Sequence, residues 1–239
     1  MRVIHATVAQ LDRALASEAE GCWFDPSQSH HLSFRESLDR MIRTRSVTWL
    51  IAPYAAWMAM MAVLPQTASF YALRGVVVAA LLVVAAWRLG FGAAALRERL
   101  SVSASAAGIA AGVFVLLVWI APETWLGAGH AVAAAESPYS PEVCGWALVL
   151  AKLAASAFVI PVAEELFFRK WLVDFAGFWW MVALFAVEHG ERWHVGAVTG
   201  VVYGLVAKRF GLMSAIVAHV VTNLALGLFV ICFDRWQFW

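Results

Sequence analysis

Charge is scarce in this sequence. Only 14% of its 239 residues are Asp, Glu, Lys or Arg and 63% are hydrophobic, whereas ordinary soluble domains carry roughly 25% charged and roughly 45–50% apolar residues. So little polar surface excludes a water-soluble globule and makes lipid the expected solvent, in keeping with a mean hydropathy of +0.76. Cysteine is scarce too: Cys22, Cys144 and Cys232 are far apart and form no CxxC or other metal-ligand spacing, which removes support for a structural disulfide or zinc ribbon. The formal net charge of +1 leaves no broad basic field, so nucleic acid is not an expected partner. No apolar core with a small-residue cleavage site precedes the first long hydrophobic run, which argues against a signal peptide.

The polar segment 1–40 contrasts with everything after it. Its stretch VAQLDRALASEAEGCWFDPSQSHH is similar to peptides produced when a bacterial transfer RNA gene is translated by an over-extended gene model. We expect residues 1–40 to be such an extension, with the start at Met41; the plainer alternative is a soluble amino-terminal tail.

A helix rises about 1.5 Å per residue and needs roughly 20 apolar residues to cross the hydrocarbon, so the chain has room for about six to eight crossings. Hydrophobic runs at 47–64, 71–87 and 103–120 predict three helices, the third ending before Pro122. Residues 121–142, rich in Pro, Gly, Ser and acidic positions, read as a loop. A long helix over 143–173, a turn around 174–178, a helix from Trp179, and two more at 195–207 and 212–233 complete about seven crossings. The predicted fold class is therefore all-α, a polytopic transmembrane bundle, with amino-terminal helices and loop in 41–142 and a functional core in 143–239. Arg35, Arg40, Arg43 and Arg45, then Arg88, Arg97 and Arg99, then Arg169 and Lys170, then Lys208 and Arg209 gather at alternate helix ends. The positive-inside bias puts those ends and the amino terminus on the cytoplasmic side of a cell inner or cytoplasmic membrane. Trp87, Trp119, Trp125, Trp236 and Trp239 lie near predicted helix ends, where aromatic belts form.

Against that apolar background a few polar residues stand out. In PVAEELFFRK, residues 161–170, Glu164 and Glu165 are adjacent carboxylates among apolar neighbours. They repel and desolvate one another, which suits one of them to proton transfer. Arg169, four residues after Glu165 on the same helical face, can clamp the other; the plain alternative is an ion pair at a charged helix end. His189 closes the apolar run FAVEH and can exchange a proton with water near neutral pH, or can simply mark an interfacial loop with Glu188, Glu191, Arg192 and His194. His219 lies four residues before Asn223, so two hydrogen-bonding side chains share an otherwise apolar face; plain helix–helix bonding would also use them. By helical rise, Glu164, His189 and His219 sit about 14, 16 and 12 Å from the turns assigned to one side of the membrane. Three distant polar residues can thus meet near one level, which requires a wet cavity between helices. That placement also requires the helices around His189 to be short or broken.

The three patterns together, EExxxR at Glu164–Arg169, FxxxH at Phe185–His189 and HxxxN at His219–Asn223, resemble the CAAX-protease and bacteriocin-processing family, also described as the ABI family of intramembrane peptidases. The resemblance runs from about residue 143 to the end, and includes a prenyl-protease-related bacterial branch. It implies that Glu164 activates water with help from His189, that Glu165 and Arg169 organise the helices, and that His219 and Asn223 stabilise the oxyanion. It further implies a peptide or membrane-anchored protein substrate, prenylated or not. No Ser or Cys nucleophile with an associated base is visible, which favours direct attack by water. Metal use stays open: Glu164, His189 and His219 could hold zinc, a metal-independent glutamate mechanism is equally compatible, and there is no HExxH. A noncatalytic binding, immunity or assembly protein, or a transporter, could also use a polar cavity in lipid. For the segment 1–40, a mass-spectrometric digest of the protein from its native host should yield no peptides from these residues. Their detection would overturn the gene-model expectation.

Overall fold

The computed structural model describes residues 45–90, 101–124 and 133–239. The segment 1–40, Arg43, Arg97, Arg99 and Trp125 lie outside the described residues, so the expectation of a spurious extension is not addressed by the fold. The described residues form an all-α bundle with no strand among them. We number the principal helices α1 (Arg45–Val63), α2 (Ala68–Leu89), α3 (Val102–Thr124), α4 (Trp146–Ala176), α5 (Phe178–Glu188), α6 (Trp193–Phe210) and α7 (Leu212–Phe233). Single turns at Ala134–Glu136, Pro141–Cys144, Gly190–Arg192 and Trp236–Phe238 fill the connections.

Two tight reversals depend on glycine. Gly177 between α4 and α5 has φ 89°, and Gly211 between α6 and α7 has φ 91°. A side chain would be strained in either place, and each reversal returns the chain antiparallel to itself within one residue. Pro122 does not end α3 as expected, because the helix continues to Thr124. A proline so near the carboxy-terminal end disturbs only the last turn, where little helix remains to be broken.

Helix α4 departs from a regular α-helix in two places. Its turns at Ala155–Val159 and Leu166–Leu172 are π-helical, and between them lies the short α-helical stretch Ile160–Glu165 that carries both glutamates. Pro161 lacks the amide hydrogen that would continue the ladder, which accounts for the looser turn just before it. Each wide turn inserts a residue and rotates the side chains beyond it by about 100° relative to a straight helix. A strict 3.6-residue period could not anticipate which way Glu164 and Arg169 point.

Four helices, α2, α3, α4 and α7, are long and apolar enough to cross a membrane. The apolar parts of α1 and α5, Val47–Val63 and Phe178–Glu188, are shorter. At 11 residues α5 rises only about 16 Å, half the hydrocarbon thickness, which matches the expected shortness of the helices around His189. The expected seven crossings thus include three, α1, α5 and α6, that length and composition do not establish.

Helices α3 and α7 pack closely through small residues. A Cβ at Gly108 would lie 2.6 Å from the Ser214 carbonyl, and one at Gly112 would lie 2.5 Å from that of Ala218. Without a hydrophobic drive between helices in lipid, such backbone proximity is a main source of association. Gly112→Ala should therefore force the two helices apart at a cost of about 1–3 kcal/mol. Ile109→Ala, at a half-exposed position on the same helix, should change much less. Thermal unfolding in one detergent compares them, and equal midpoints for the two variants would refute the close-packing account.

Candidate active site

Glu164 and Glu165 leave α4 side by side, yet their surroundings differ. Glu165 is fully buried; its Oε1 lies 3.1 Å from Nη1 of Arg169 and accepts a 2.9 Å hydrogen bond from Nδ1 of His219. The Arg169 guanidinium is itself buried over the ring of Phe185, 4.0 Å from its centroid, with Tyr203 at 5.5 Å. The pair is within ion-pair distance without hydrogen-bond geometry, and all three guanidinium nitrogens lack a hydrogen-bonding partner. Aromatic faces hold the cation where no further acceptor is available. The expected clamp on Glu165 is present, and a second partner that sequence spacing did not indicate, His219, joins it from α7.

Glu164 is left free by this arrangement. Its Oε2 is buried with no hydrogen-bonding partner in the protein, and His219 Nε2, at 3.6 Å, is beyond hydrogen-bond range. Glu164, His189, His219 and Asn223 all line one cavity of about 220 Å³. At about 30 Å³ per molecule of liquid water, this holds several waters or a short piece of extended chain.

The hydrogen bonds define what each ring nitrogen and amide offers. His189 follows the last residue of α5, and its Nδ1 lies 2.6 Å from the Phe185 carbonyl. A carbonyl only accepts, so Nδ1 carries the proton and Nε2 is the nitrogen left for the cavity. His219 donates from Nδ1 to Glu165, so its Nε2 faces Glu164. Asn223 donates one Nδ2 hydrogen to the Ser156 carbonyl in the first π turn, at 2.9 Å, and keeps the other. Behind His219, 5.0 Å from its ring, Tyr203 donates to Thr222 at 2.6 Å; the Thr222 hydroxyl lies 2.8 Å from the Gly112 carbonyl. The close contact of α3 with α7 thus supports the histidine from the rear.

The common cavity agrees with the depth argument, but the common level is only approximate. Thr222, one turn from His219, meets Gly112 on α3, whereas His189 lies against Trp119, with ring centroids 5.4 Å apart. Those α3 positions are separated by about 10 Å of helix rise. The site is a slanted chamber that the long side chains span. The residues flanking His189 also differ from an exposed loop. Glu188 is half-buried and interacts with Tyr54 of α1 and, through its charge, with Glu164. Arg192 pairs with Glu123 at the end of α3 and donates to the Gln237 carbonyl. His194 and Glu191 are exposed as that reading held.

Sequence reasoning passed over Lys152, Tyr203 and Thr222, and read Glu188 only as a mark of an interfacial loop. Tyr203 and Thr222 gave weak signals, since a single hydroxyl in an apolar helix commonly bonds its own backbone. Lys152 was a stronger clue, a charge amid an apolar helix.

Metal ligation was tested on the donors themselves. Among the described residues no group of three or more His, Cys, Asp or Glu side chains is arranged to hold a metal ion. Nδ1 of both histidines is committed to protein acceptors, which leaves Nε2 of each as the nitrogen that could reach an ion. As placed, Glu164, His189 and His219 are not gathered into a zinc site.

An all-α apolar bundle with a buried acidic pair, two histidines and an amide beside one cavity brings together groups that could carry out hydrolysis within a membrane. Residues 146–225 match the family described as type II CAAX prenyl endopeptidase, Rce1-like, which supports membership of the CAAX-protease family. The matched segment spans all three motifs. The family supports an intramembrane endopeptidase of the CAAX type in a multi-pass membrane protein. No curated protein and no solved structure matches the chain.

The Glu165–Arg169 junction allows a direct test. Arg169→Met would strand a buried carboxylate, at a cost of about 3–5 kcal/mol, while adding Glu165→Gln should restore much of that loss. A double-mutant cycle of unfolding in detergent reads this coupling. Simple additivity of the two single losses would show that the pair is not energetically linked.

Proposed function

We propose that the protein is an intramembrane endopeptidase in which Glu164 activates a water for direct attack on a peptide carbonyl. The single observation that carries this reading is the division of labour within the acidic pair. Oε1 of Glu165 is committed to Arg169 and His219, and Glu165 is not among the residues lining the cavity, whereas Glu164 lines it together with two histidines and an amide.

In the proposed reaction, a water accepted by Glu164 and by Nε2 of His189 loses a proton to the carboxylate as its oxygen attacks. The developing oxyanion is met by the free Nδ2 hydrogen of Asn223 and by His219, which donates from Nε2 when that nitrogen is protonated. An imidazolium formed there is countered by Glu165, much as a buried carboxylate orients and balances a catalytic histidine elsewhere. Collapse of the tetrahedral intermediate breaks the C–N bond, and Glu164 returns its proton to the leaving amine. Seclusion from bulk water would strengthen each of these interactions.

The substrate is a peptide or membrane-anchored protein. The family description favours a prenylated carboxy-terminal segment. The protein resides in a cytoplasmic or inner membrane with its amino-terminal side cytoplasmic.

Purified wild type should cleave candidate prenylated or membrane-anchored peptides. Glu164→Gln should lower the rate by about 100- to 10,000-fold, the usual range for loss of a general base. Asn223→Ala should lower kcat by about 100- to 1,000-fold, as for one oxyanion donor. Equal product formation by wild type and equally folded variants would reject these roles. Peptide binding with no cleavage by any of them would favour a noncatalytic binding protein.

A further inference from the structure

The cavity containing the free carboxylate also contains a cation that the proposed hydrolysis does not use. Lys152 of α4 is only 6% exposed and lines the cavity with Glu164 and Asn223. Its ammonium lies 3.7 Å from the ring centroid of Tyr71, 4.1 Å from that of Tyr139 and 5.2 Å from that of Trp239. These rings come from α2, from the connection before α4 and from the last residue of the chain. Three separate parts of the fold therefore converge on one amine.

No carboxylate among the described residues lies within ion-pair distance of Lys152. Its charged neighbour is a second cation, Arg74, which is fully buried over the rings of Trp57 and Tyr71. Arg74 donates from Nη2 to Gln66, while its Nε and Nη1 have no hydrogen-bonding partner. Aromatic faces attract a cation without neutralising it. Two buried cations with π faces and no acid make this end of the cavity electropositive, and an arriving anion would relieve a cost that the fold otherwise carries alone. Glu164 lines the same cavity. The ligand that suits both is a chain presenting an amide to Glu164 and an anion to Lys152.

Helix rise sets the spacing. Twelve residues separate Lys152 from Glu164, about 18 Å along a regular helix, and both side chains reach into the gap. An extended peptide advances about 3.3 Å per residue, so the span holds a few residues and at most about five. We propose that Lys152, in its aromatic collar, binds the carboxy-terminal carboxylate of the substrate. Hydrolysis of the bound chain rests on the reading above; the carboxylate site does not.

The test uses the full chain carrying Glu164→Gln, in neutral detergent, with one fluorescent apolar peptide made as the free acid and as the carboxy-terminal amide. The acid should bind about tenfold or more tightly, the effect of a charge-assisted bond. Lys152→Met in this background should reduce acid binding to the amide level, and Lys152→Arg should retain a preference for the acid. Thermal unfolding of each variant checks that the fold is kept, and Lys152→Met should be no less stable than its parent. Equal or absent binding of the two peptides overturns the proposal, and so does an acid preference that survives Lys152→Met. Equal binding is also the outcome expected if a lipid phosphate were the natural occupant. With wild type, the acid should be cut and the amide only poorly. An acid preference that depends on Lys152, with no cleavage by wild type, would leave the carboxylate site standing and remove the hydrolytic reading.

Discussion

A carboxylate with no exposed surface, held between a guanidinium on its own helix and an imidazole from another, is the constraint around which the rest of this structure is arranged. An isolated charge in lipid is costly, and Glu165 and Arg169 offset that cost for one another. Together with His219 they form a junction that ties α4 to α7 and leaves Glu165 little freedom. The adjacent Glu164 is then the carboxylate that lines the cavity. One buried interaction therefore separates a structural acid from a reactive one.

Close helix contact makes that junction possible. Gly108 and Gly112 let α3 reach the backbone of α7, and the Thr222 hydroxyl reaches the Gly112 carbonyl across the seam while Tyr203 donates to Thr222. On the other side, a Cβ at Gly196 would lie 3.0 Å from the His189 imidazole, so α6 is pressed against the end of α5 at that residue. In lipid, where apolar side chains gain little by leaving their solvent for one another, such contacts and buried hydrogen bonds carry much of the association. The same residues that hold the helices together aim the histidines.

The cavity is asymmetric in charge as well as shape. Glu164 lines it, and so does Lys152, backed by Arg74 and collared by aromatic rings. A larger apolar groove of about 470 Å³, lined by α2, α4 and α7, includes none of the six predicted site residues. The polar chamber is where the reaction chemistry and a substrate's charged end would meet. An apolar segment of a substrate would have the groove or the lipid itself available.

Much of this was legible in the chain. The last helix is found over Leu212–Phe233, as its hydrophobic run predicts, because an unbroken apolar run after glycine leaves few alternatives. The pairing of Glu165 with Arg169 follows from four-residue spacing, and the shared cavity follows from the cost of isolated polar groups in hydrocarbon. Composition, hydrophobic length and three short patterns thus determined the helical class and pointed to lipid as solvent, to the six candidate residues and to the family that residues 146–225 match. Tertiary structure decided which partner each group takes. The π turns flanking Ile160–Glu165 rotate the acidic pair off a straight-helix period, and only the packing of α7 brings His219 onto Glu165 rather than leaving it to Glu164. Lys152 acquires its collar only when α2, the connection before α4 and the carboxy terminus converge. A sequence records what a residue can bond with; three-dimensional proximity settles which of those bonds its neighbours allow.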